Sequence, residues 1–398
     1  MAQDRVIIAG AGPVGLVAAL RLASEGVQVL VMEAGDDLAI DLRASTFHPP
    51  TLDMLHEFGV TEKLIEIGII APKWQFRDRE SGERAEFDLG VLSDVTEHPY
   101  RVQCEQHKLT RIIYDMIKDW DNVEVLFGTK LKAMSQNGEK VRVTAEKDGK
   151  DEVFEGAYLI GADGASSAVR IGLDIGFEGI TYPELFVQAS TPFPFHEHIP
   201  NMSLINYVSD SDEWYVLLKV PDLWRTLFPT REGEDEEEAL SDEGLQKRLQ
   251  SVLPRDEPYE IAHRTLYRIH QRVADTYRMG RICLAGDAAH LNNPLGGMGM
   301  NGGIHDAWNL TEKLLSIMKG EEDESVLDRY TRQRKPIALE NVQAQAERNR
   351  QLLNERDPKV RLKRFREMQE TANDPEKARP FLLRSSMIEG LRRSESIE

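Results

Sequence analysis

Val6-Ile7-Ile8-Ala9-Gly10-Ala11-Gly12-Pro13-Val14-Gly15 is an apolar run that passes straight into closely spaced glycines. The run predicts a buried strand. A helical stretch follows to about Glu25, with Gly26 placed as its stop. Val27–Met32 predicts the next strand, and Glu33 ends it. This is a βαβ unit with the dinucleotide spacing. Gly10 suits the tight turn, Gly12 lets backbone approach a pyrophosphate, and Gly15 lets helix and strand pack closely. Pro13 fits the first helical turn, where a missing N–H costs nothing. Val14 beside it, and Ala34 beside Glu33, complete the expected nucleotide contact. A carboxylate such as Glu33 accepts from ribose hydroxyls but repels a 2′-phosphate, so the unit suits the ADP half of FAD or NAD and not NADP.

The same strand-to-helix junction recurs twice. Tyr158-Leu159-Ile160-Gly161-Ala162-Asp163-Gly164 leads into a helix start near Ser166 and Ser167. Read alone, it is either a cofactor edge or a turn held by the Asp163 side chain. Arg281–Gly303 carries an apolar strand, then Gly286-Asp287-Ala288-Ala289-His290, Pro294 and Gly296-Gly297-Met298-Gly299-Met300-Asn301. A helical pattern leaves it through Ile304, Ala307, Leu314 and Met318. Glycines keep bulk off this loop, and the helix start aims unpaired N–H groups at whatever lies there. That suits a flat ligand that becomes negative, such as a reduced flavin, or a phosphate. Three such junctions in one chain point to a cofactor bound along one sheet edge.

With 398 residues, the chain has the length of two or three domains. Its 68 acidic against 49 basic side chains give a net charge of −19, which argues against nucleic acid and anionic membranes as partners. Cys104 and Cys283 are the only cysteines and read as two buried thiols in a reducing cytoplasm. No leader pattern precedes the first strand and no apolar run is long enough for a bilayer. The acidic run at Glu234–Glu238 reads as a solvated loop or helix start. No internal repeat and no metal-ligand cluster stands out.

Between the junctions the texture changes. Asp41–Pro50 reads as a loop, with Arg43 either a phosphate or flavin contact or a surface cation, and His48 either an acid–base group or a plain loop histidine. A short helix is expected over Thr51–Phe58, closed by Gly59. Lys73–Leu89 predicts a strand pair turning at Ser81-Gly82, and a helix opens at Gln103. Strands are expected at Val123–Phe127, Val141–Thr144 and Val153-Phe154. Met202–Val208 and Trp214–Val220 predict adjacent antiparallel strands. Ser325–Arg350 and Val360–Ala372 read as charged amphipathic helices, and Arg392–Glu398 as a loose tail.

Together the three motifs, in this order and spacing, resemble the class A flavoprotein monooxygenases, the family of para-hydroxybenzoate hydroxylase. The resemblance covers nearly the whole chain to about Gly320. It implies an α/β fold: a Rossmann-like FAD-binding domain (1–72, 98–178, 271–320), an inserted antiparallel-sheet substrate domain (73–97, 179–270) and a C-terminal helical region (321–398). By the same resemblance, Arg43 and Gln106 reach the flavin or ribityl chain, and Asp163 sits near the pyrophosphate. Asp287 binds the ribityl hydroxyls within a turn begun by Gly286. Gly297, Gly299 and the backbone of Met300 and Asn301 face flavin N1 and O2, and Pro294 lies beside the reacting carbon.

The implied chemistry is an FAD-dependent hydroxylation of an aromatic substrate with NADH or NADPH and O2, through a hydroperoxide at flavin C4a. A membrane-associated quinone-precursor hydroxylase and a flavin-binding regulator without turnover are the alternatives. A homodimer is the assembly the resemblance allows. One departure concerns the substrate. Trp214–Val220 offers only Lys219 to a carboxylate, and its alternate face of Trp214, Val216, Leu218 and Val220 is apolar. A neutral or bulkier aromatic is therefore favoured over a benzoate. Tyr207 and Tyr215 are candidates to bind and deprotonate a phenol, or else pack the sheet.

Overall fold

Three short apolar strands form the centre of the cofactor half, and every residue in them is buried. Val6–Ala9 runs parallel to Val29–Met32 on one side and to Tyr158–Gly161 on the other. Burial on both faces is why these strands read as continuous hydrophobic runs without alternation. Val123–Leu126 and Ile282–Leu284 extend the sheet, and Arg278–Met279 turns back antiparallel to complete six strands. The structure, a computed structural model, describes residues 5–40, 44–210, 212–231, 233–343, 353, 355 and 357–398. Arg43 lies outside them.

Helices cover this sheet. Pro13–Ser24 packs against the long helix Gly299–Met318, so the first and third glycine junctions stand side by side. Both cysteines are free and buried. A three-stranded antiparallel meander, Thr129–Gln136, Val141–Lys147 and Lys150–Gly156, follows the parallel strand Val123–Leu126. Pro49 and Pro50 do not end the loop, as expected, but begin a helix, Pro49–His56, where their missing N–H groups have no partner to lose. Gln103 closes a short strand, Arg101–Gln103, and the helix expected there starts at Gln106.

The second sheet has eight strands: His290–Leu291, His263–Ala274, Phe177–Thr191, Trp224–Pro229, Tyr215–Lys219, Ile205–Ser209, Lys73–Asp78 and Arg84–Asp88. It is antiparallel except where Ile205–Ser209 runs parallel to Lys73–Asp78. Pro183 sits at a register shift between Thr181 and Leu185, where the ladder needs no N–H. Asp235 caps a helix start inside the acidic run.

The C-terminal helices brace this second sheet. Phe381 stacks on Phe87 at 4.5 Å, and Arg379 forks onto Asp94 at 2.8 and 2.7 Å. The helix expected from Ser325 runs over Val326–Ile337 and widens into a π-helix, Ala338–Gln343, just past Pro336. Its remainder to Arg350 lies outside the described residues. The tail is not loose. Ile388–Glu395 is helical, and Gln333 and Arg332 hold the carbonyls of Ile397 and Glu398 at 2.7 and 2.8 Å. These anchors come from a helix some sixty residues earlier, which a local reading does not supply. Among the described residues, no helix is long and apolar enough to cross a membrane.

Candidate active site

One cavity of about 420 Å³ opens between the two sheets, a size ordinary for a small-molecule site. Its cofactor-side wall is largely backbone. Ala11, Gly12, Pro13 and Val14 border it, and Gly12 caps the helix Pro13–Ser24 without any side-chain hydrogen bond. The helices starting at Gln106 and Gly299 also border it and also lack a side-chain cap. Three helix N-termini therefore direct unsatisfied N–H groups and partial positive charge into one space. A Cβ built on Gly12, Gly164 or Gly299 would meet nothing within 4 Å, so these positions are open toward the cavity. An anionic, extended cofactor such as FAD fits this set of donors.

Gly10 and Gly15 act differently. Gly10 has φ +102°, and a Cβ there would lie 2.4 Å from the Ala162 carbonyl oxygen. A Cβ on Gly15 would lie 2.0 Å from the Gly10 carbonyl oxygen. Both permit contact between elements and neither borders the cavity. Glu33 borders it, with one carboxylate oxygen accepting from Ala11 N at 2.8 Å and the other from Gly35 N at 2.9 Å. Ala34 is exposed and off the wall.

At the second junction the Asp163 side chain turns away from the cavity. It accepts from the Ser167 hydroxyl and from Val169 N at 3.1 Å, while Ala162, Gly164 and Ala165 supply the wall. The turn held by an aspartate is thus what the side chain makes, and the contact with the cavity falls to neighbouring backbone.

The third junction is pinned by buried groups. Gly286, φ +62°, packs on Val14, and Asp287 beside it is exposed on the wall. Asp306 accepts from Gly286 N at 3.1 Å, faces His290 Nε2 at 2.7 Å and takes Arg334 Nε at 2.6 Å. Burial pushes the Asp306 carboxyl up, but the His290 and Arg334 charges outweigh it and hold the group down at about 2. Pro294, Gly297, Gly299 and Met300 border the cavity. Asn301 does not: its amide donates to Thr46 O at 2.8 Å and Gly297 O at 2.7 Å and accepts from His48 N at 2.9 Å.

His48 is likewise off the wall and fully buried, with Nε2 2.8 Å from Gly296 O. Burial, then the nearby Arg101 charge, pushes it well below its ordinary pKa. The expectation of an acid–base role is corrected: His48 is a neutral clamp that ties the Pro294 loop to the strand Thr46–Phe47.

The substrate-side wall is made of side chains. Register puts Tyr207 opposite Val216, Val216 opposite Leu227, and Leu218 opposite Arg225, all on the face toward the cavity. Tyr215 pairs with Val208 on the other face, among Phe228, Leu245 and Leu249, where burial raises its hydroxyl to about 12. Its expected contact with a phenol is corrected, because strand alternation turns it away. Arg225 and Gln188 were missed. Arg225 borders the cavity and faces Glu105 at 3.7 Å. Only the register between two strands brings it beside Leu218, so Lys219 was not the cation to weigh. Lys219 donates to the carbonyls of Val220 and Pro221 instead.

A family model described as an FAD binding domain matches residues 3–345. The chain is 32% identical to the para-nitrophenol 4-monooxygenase of Pseudomonas sp. (strain WBC-3), over 98% of this chain and 97% of that one. It is 35% identical to the 6-hydroxy-3-succinoylpyridine 3-monooxygenase of Pseudomonas putida (strain DSM 28022 / S16), over 89% and 90% of the two chains. The crystal structure of p-nitrophenol 4-monooxygenase from Pseudomonas putida DLL-E4 superposes with a TM-score of 0.91 at 30% identity, covering 98% of each chain. Sequence motifs, a cavity bordered by three helix N-termini and these similarities agree: the chain belongs to the class A FAD-dependent aromatic hydroxylases, which are monooxygenases.

Proposed function

We propose that the protein hydroxylates a phenol or hydroxylated heteroaromatic ring, using NADH or NADPH and O2. The observation that carries this reading is a single cavity with helix N-termini at one end, the Pro294 loop between, and Tyr207 on an aliphatic wall at the other. When bound, FAD supplies the redox chemistry: it accepts the reducing equivalents and activates O2 for transfer of one oxygen atom.

The chain's own residues bind, orient and keep out water. The backbone at Gly12, Pro13 and Val14 would hold the pyrophosphate, and Glu33 the adenosine ribose. Gln106 and Asp287 would take the ribityl region. The backbone at Gly297, Gly299 and Met300 would face the ring's most negative edge, stabilised by the helix start behind it. Val216, Leu218 and Leu227 would keep the reacting ring dry. Tyr207 would hold the substrate hydroxyl. The proposed division keeps the cofactor segments, substrate sheet and C-terminal helices as units.

Relatives that act on a nitrophenol and on a hydroxypyridine support this substrate class. The test is a screen of phenols and hydroxypyridines for stimulated NAD(P)H oxidation by the yellow protein, with hydrogen peroxide and hydroxylated product measured together. Colourless protein that releases no flavin on denaturation, or yellow protein that no such ring stimulates, would sink the reading.

A further inference from the structure

Gln188 lies inside the strand Phe177–Thr191, is 3% exposed and borders the cavity. Val187 and Ala189 on either side turn the other way, into the core shared with Tyr215. Register sets Gln188 opposite Leu227, Leu227 opposite Val216, and Val216 opposite Tyr207. These four residues form one transverse row on the cavity wall, with a polar group at each end and two aliphatic side chains between. Three strand spacings separate the end backbones, about 14 Å at about 4.8 Å per strand. The Gln188 Nε2 atom is buried and has no hydrogen-bond partner among the described residues. A buried donor left unpaired carries its full desolvation cost until an acceptor reaches it. Arg225 stands on the next row, opposite Leu218 on one side and Ser190 on the other, and faces Glu105 at 3.7 Å. Its charge is thus already matched by a buried carboxylate.

We propose that Gln188 is a specificity-determining residue, and that the substrate ring carries a neutral hydrogen-bond acceptor, such as a nitro or carbonyl group, on the side opposite its hydroxyl. The Gln188 amide donates to that acceptor, while Tyr207 meets the hydroxyl at the other end of the row. Val216 and Leu227 lie against the ring between them. A largely apolar wall with one donor to satisfy disfavours a ring of the same shape that lacks the acceptor, because the donor then stays buried and unpaired. A carboxylate in that position is disfavoured for a second reason. It would bring a further negative charge beside Glu105, and the Arg225 charge there is already engaged. The inference rests on the aromatic-hydroxylase reading above and adds to it the ring's second substituent and the residue that reads it.

The probes are 4-hydroxyacetophenone and 4-isopropylphenol, matched in shape but with and without the acceptor, together with 4-hydroxybenzoate. Each is titrated into FAD-loaded protein at a pH where the first two are un-ionised and the benzoate is charged, and the change in flavin absorbance gives Kd. The wild type should bind 4-hydroxyacetophenone about tenfold or more tighter than 4-isopropylphenol, the effect of one hydrogen bond to a buried donor, and more tightly than 4-hydroxybenzoate. Gln188→Leu, which keeps much of the side-chain volume and removes the donor, should bring the two neutral Kd values within about threefold of each other. Gln188→Met is the second variant, and retained flavin with an unchanged melting temperature shows that either one is folded. If both lose flavin, the wild-type ratio decides. Equal wild-type Kd values for the two neutral probes, a preference that survives in a flavin-loaded Gln188 variant, or tighter binding of the benzoate overturns the proposal. Absence of binding by all three overturns it too. The hydroxylase reading falls with it only if no phenol or hydroxypyridine stimulates NAD(P)H oxidation.

Discussion

The wall of the cavity that comes from the six-stranded half is backbone, whereas the wall from the eight-stranded sheet is side chain. On the first, Gly12, Gly164 and Gly299 leave room and helix starts supply donors. On the second, Tyr207, Val216, Leu218, Arg225 and Leu227 project from five positions along three strands. A backbone wall tolerates few changes in its glycines but carries little information about a particular substrate. A side-chain wall can be altered one residue at a time without disturbing the strands that bear it. Under the proposed function, the constant part of the chemistry would fall to one wall and the choice of substrate to the other.

Four experiments break or sharpen that contrast. The largest effect is expected at Gly10, which borders no cavity but touches Ala162 backbone. Gly10→Val should destabilise by about 3–5 kcal/mol and give little soluble protein, read by expression and thermal unfolding. Asp306→Asn comes next. It breaks the pair with His290 and Arg334 and leaves Arg334 buried with its charge uncompensated, costing about 3–5 kcal/mol in denaturant unfolding.

The same carboxylate gives a pH signature. Its folded pKa, about 2, is below the ordinary aspartate value of 3.8, so it contributes stability that is present above the unfolded pKa and lost as pH falls through the folded one. About 2 kcal/mol should disappear between pH ~4 and ~2 in the wild type, and Asp306→Asn should flatten that segment of the curve. An unchanged acid limb in the variant would falsify the assignment.

Gly12→Ala separates cradle from packing. A Cβ there meets no protein atom within 4 Å, so the melting temperature of the apoprotein should hold. Flavin retention should weaken about tenfold or more, equivalent to ~1.4 kcal/mol, measured by equilibrium dialysis. Equal retention in parent and variant would remove the backbone wall from the cofactor. The smallest effect belongs to Tyr215→Phe. It should change stability by no more than about 1 kcal/mol and leave the KM for a phenol essentially unaltered, in contrast with Tyr207→Phe. A large KM change at Tyr215 would mean that the register places the wrong face toward the cavity.

The contrast between the walls also explains which parts of the molecule were legible beforehand. Gly10, Gly12 and Gly15 specify a backbone path by their spacing, so the first βαβ unit was readable from ten residues. The Pro294–Met300 loop was readable for the same reason. Asp163 was read as either a cofactor edge or a turn, and its carboxylate holds the turn. His48 looked like chemistry because histidine in a loop can titrate, but burial against Gly296 leaves it neutral. Arg225 had no local mark, since nothing near it in sequence signals that it faces the cavity beside Leu218.

Sequence alone determined a dinucleotide-type βαβ unit, two further glycine junctions in order and an apolar strand pair, and the resemblance those motifs carry together implied a flavin-dependent aromatic hydroxylase. Those features are local, because glycine spacing and hydrophobic periodicity act within one or two turns or strands. Tertiary structure alone decided which tyrosine faces the cavity, that Arg225 joins it, that Arg334 reaches back 28 residues to fix the Asp306 carboxylate, and that the final residues are anchored. Each of these depends on strand register or on contact between distant segments. A shift of one residue in register would exchange Tyr207 for Val208 and turn the substrate wall inside out.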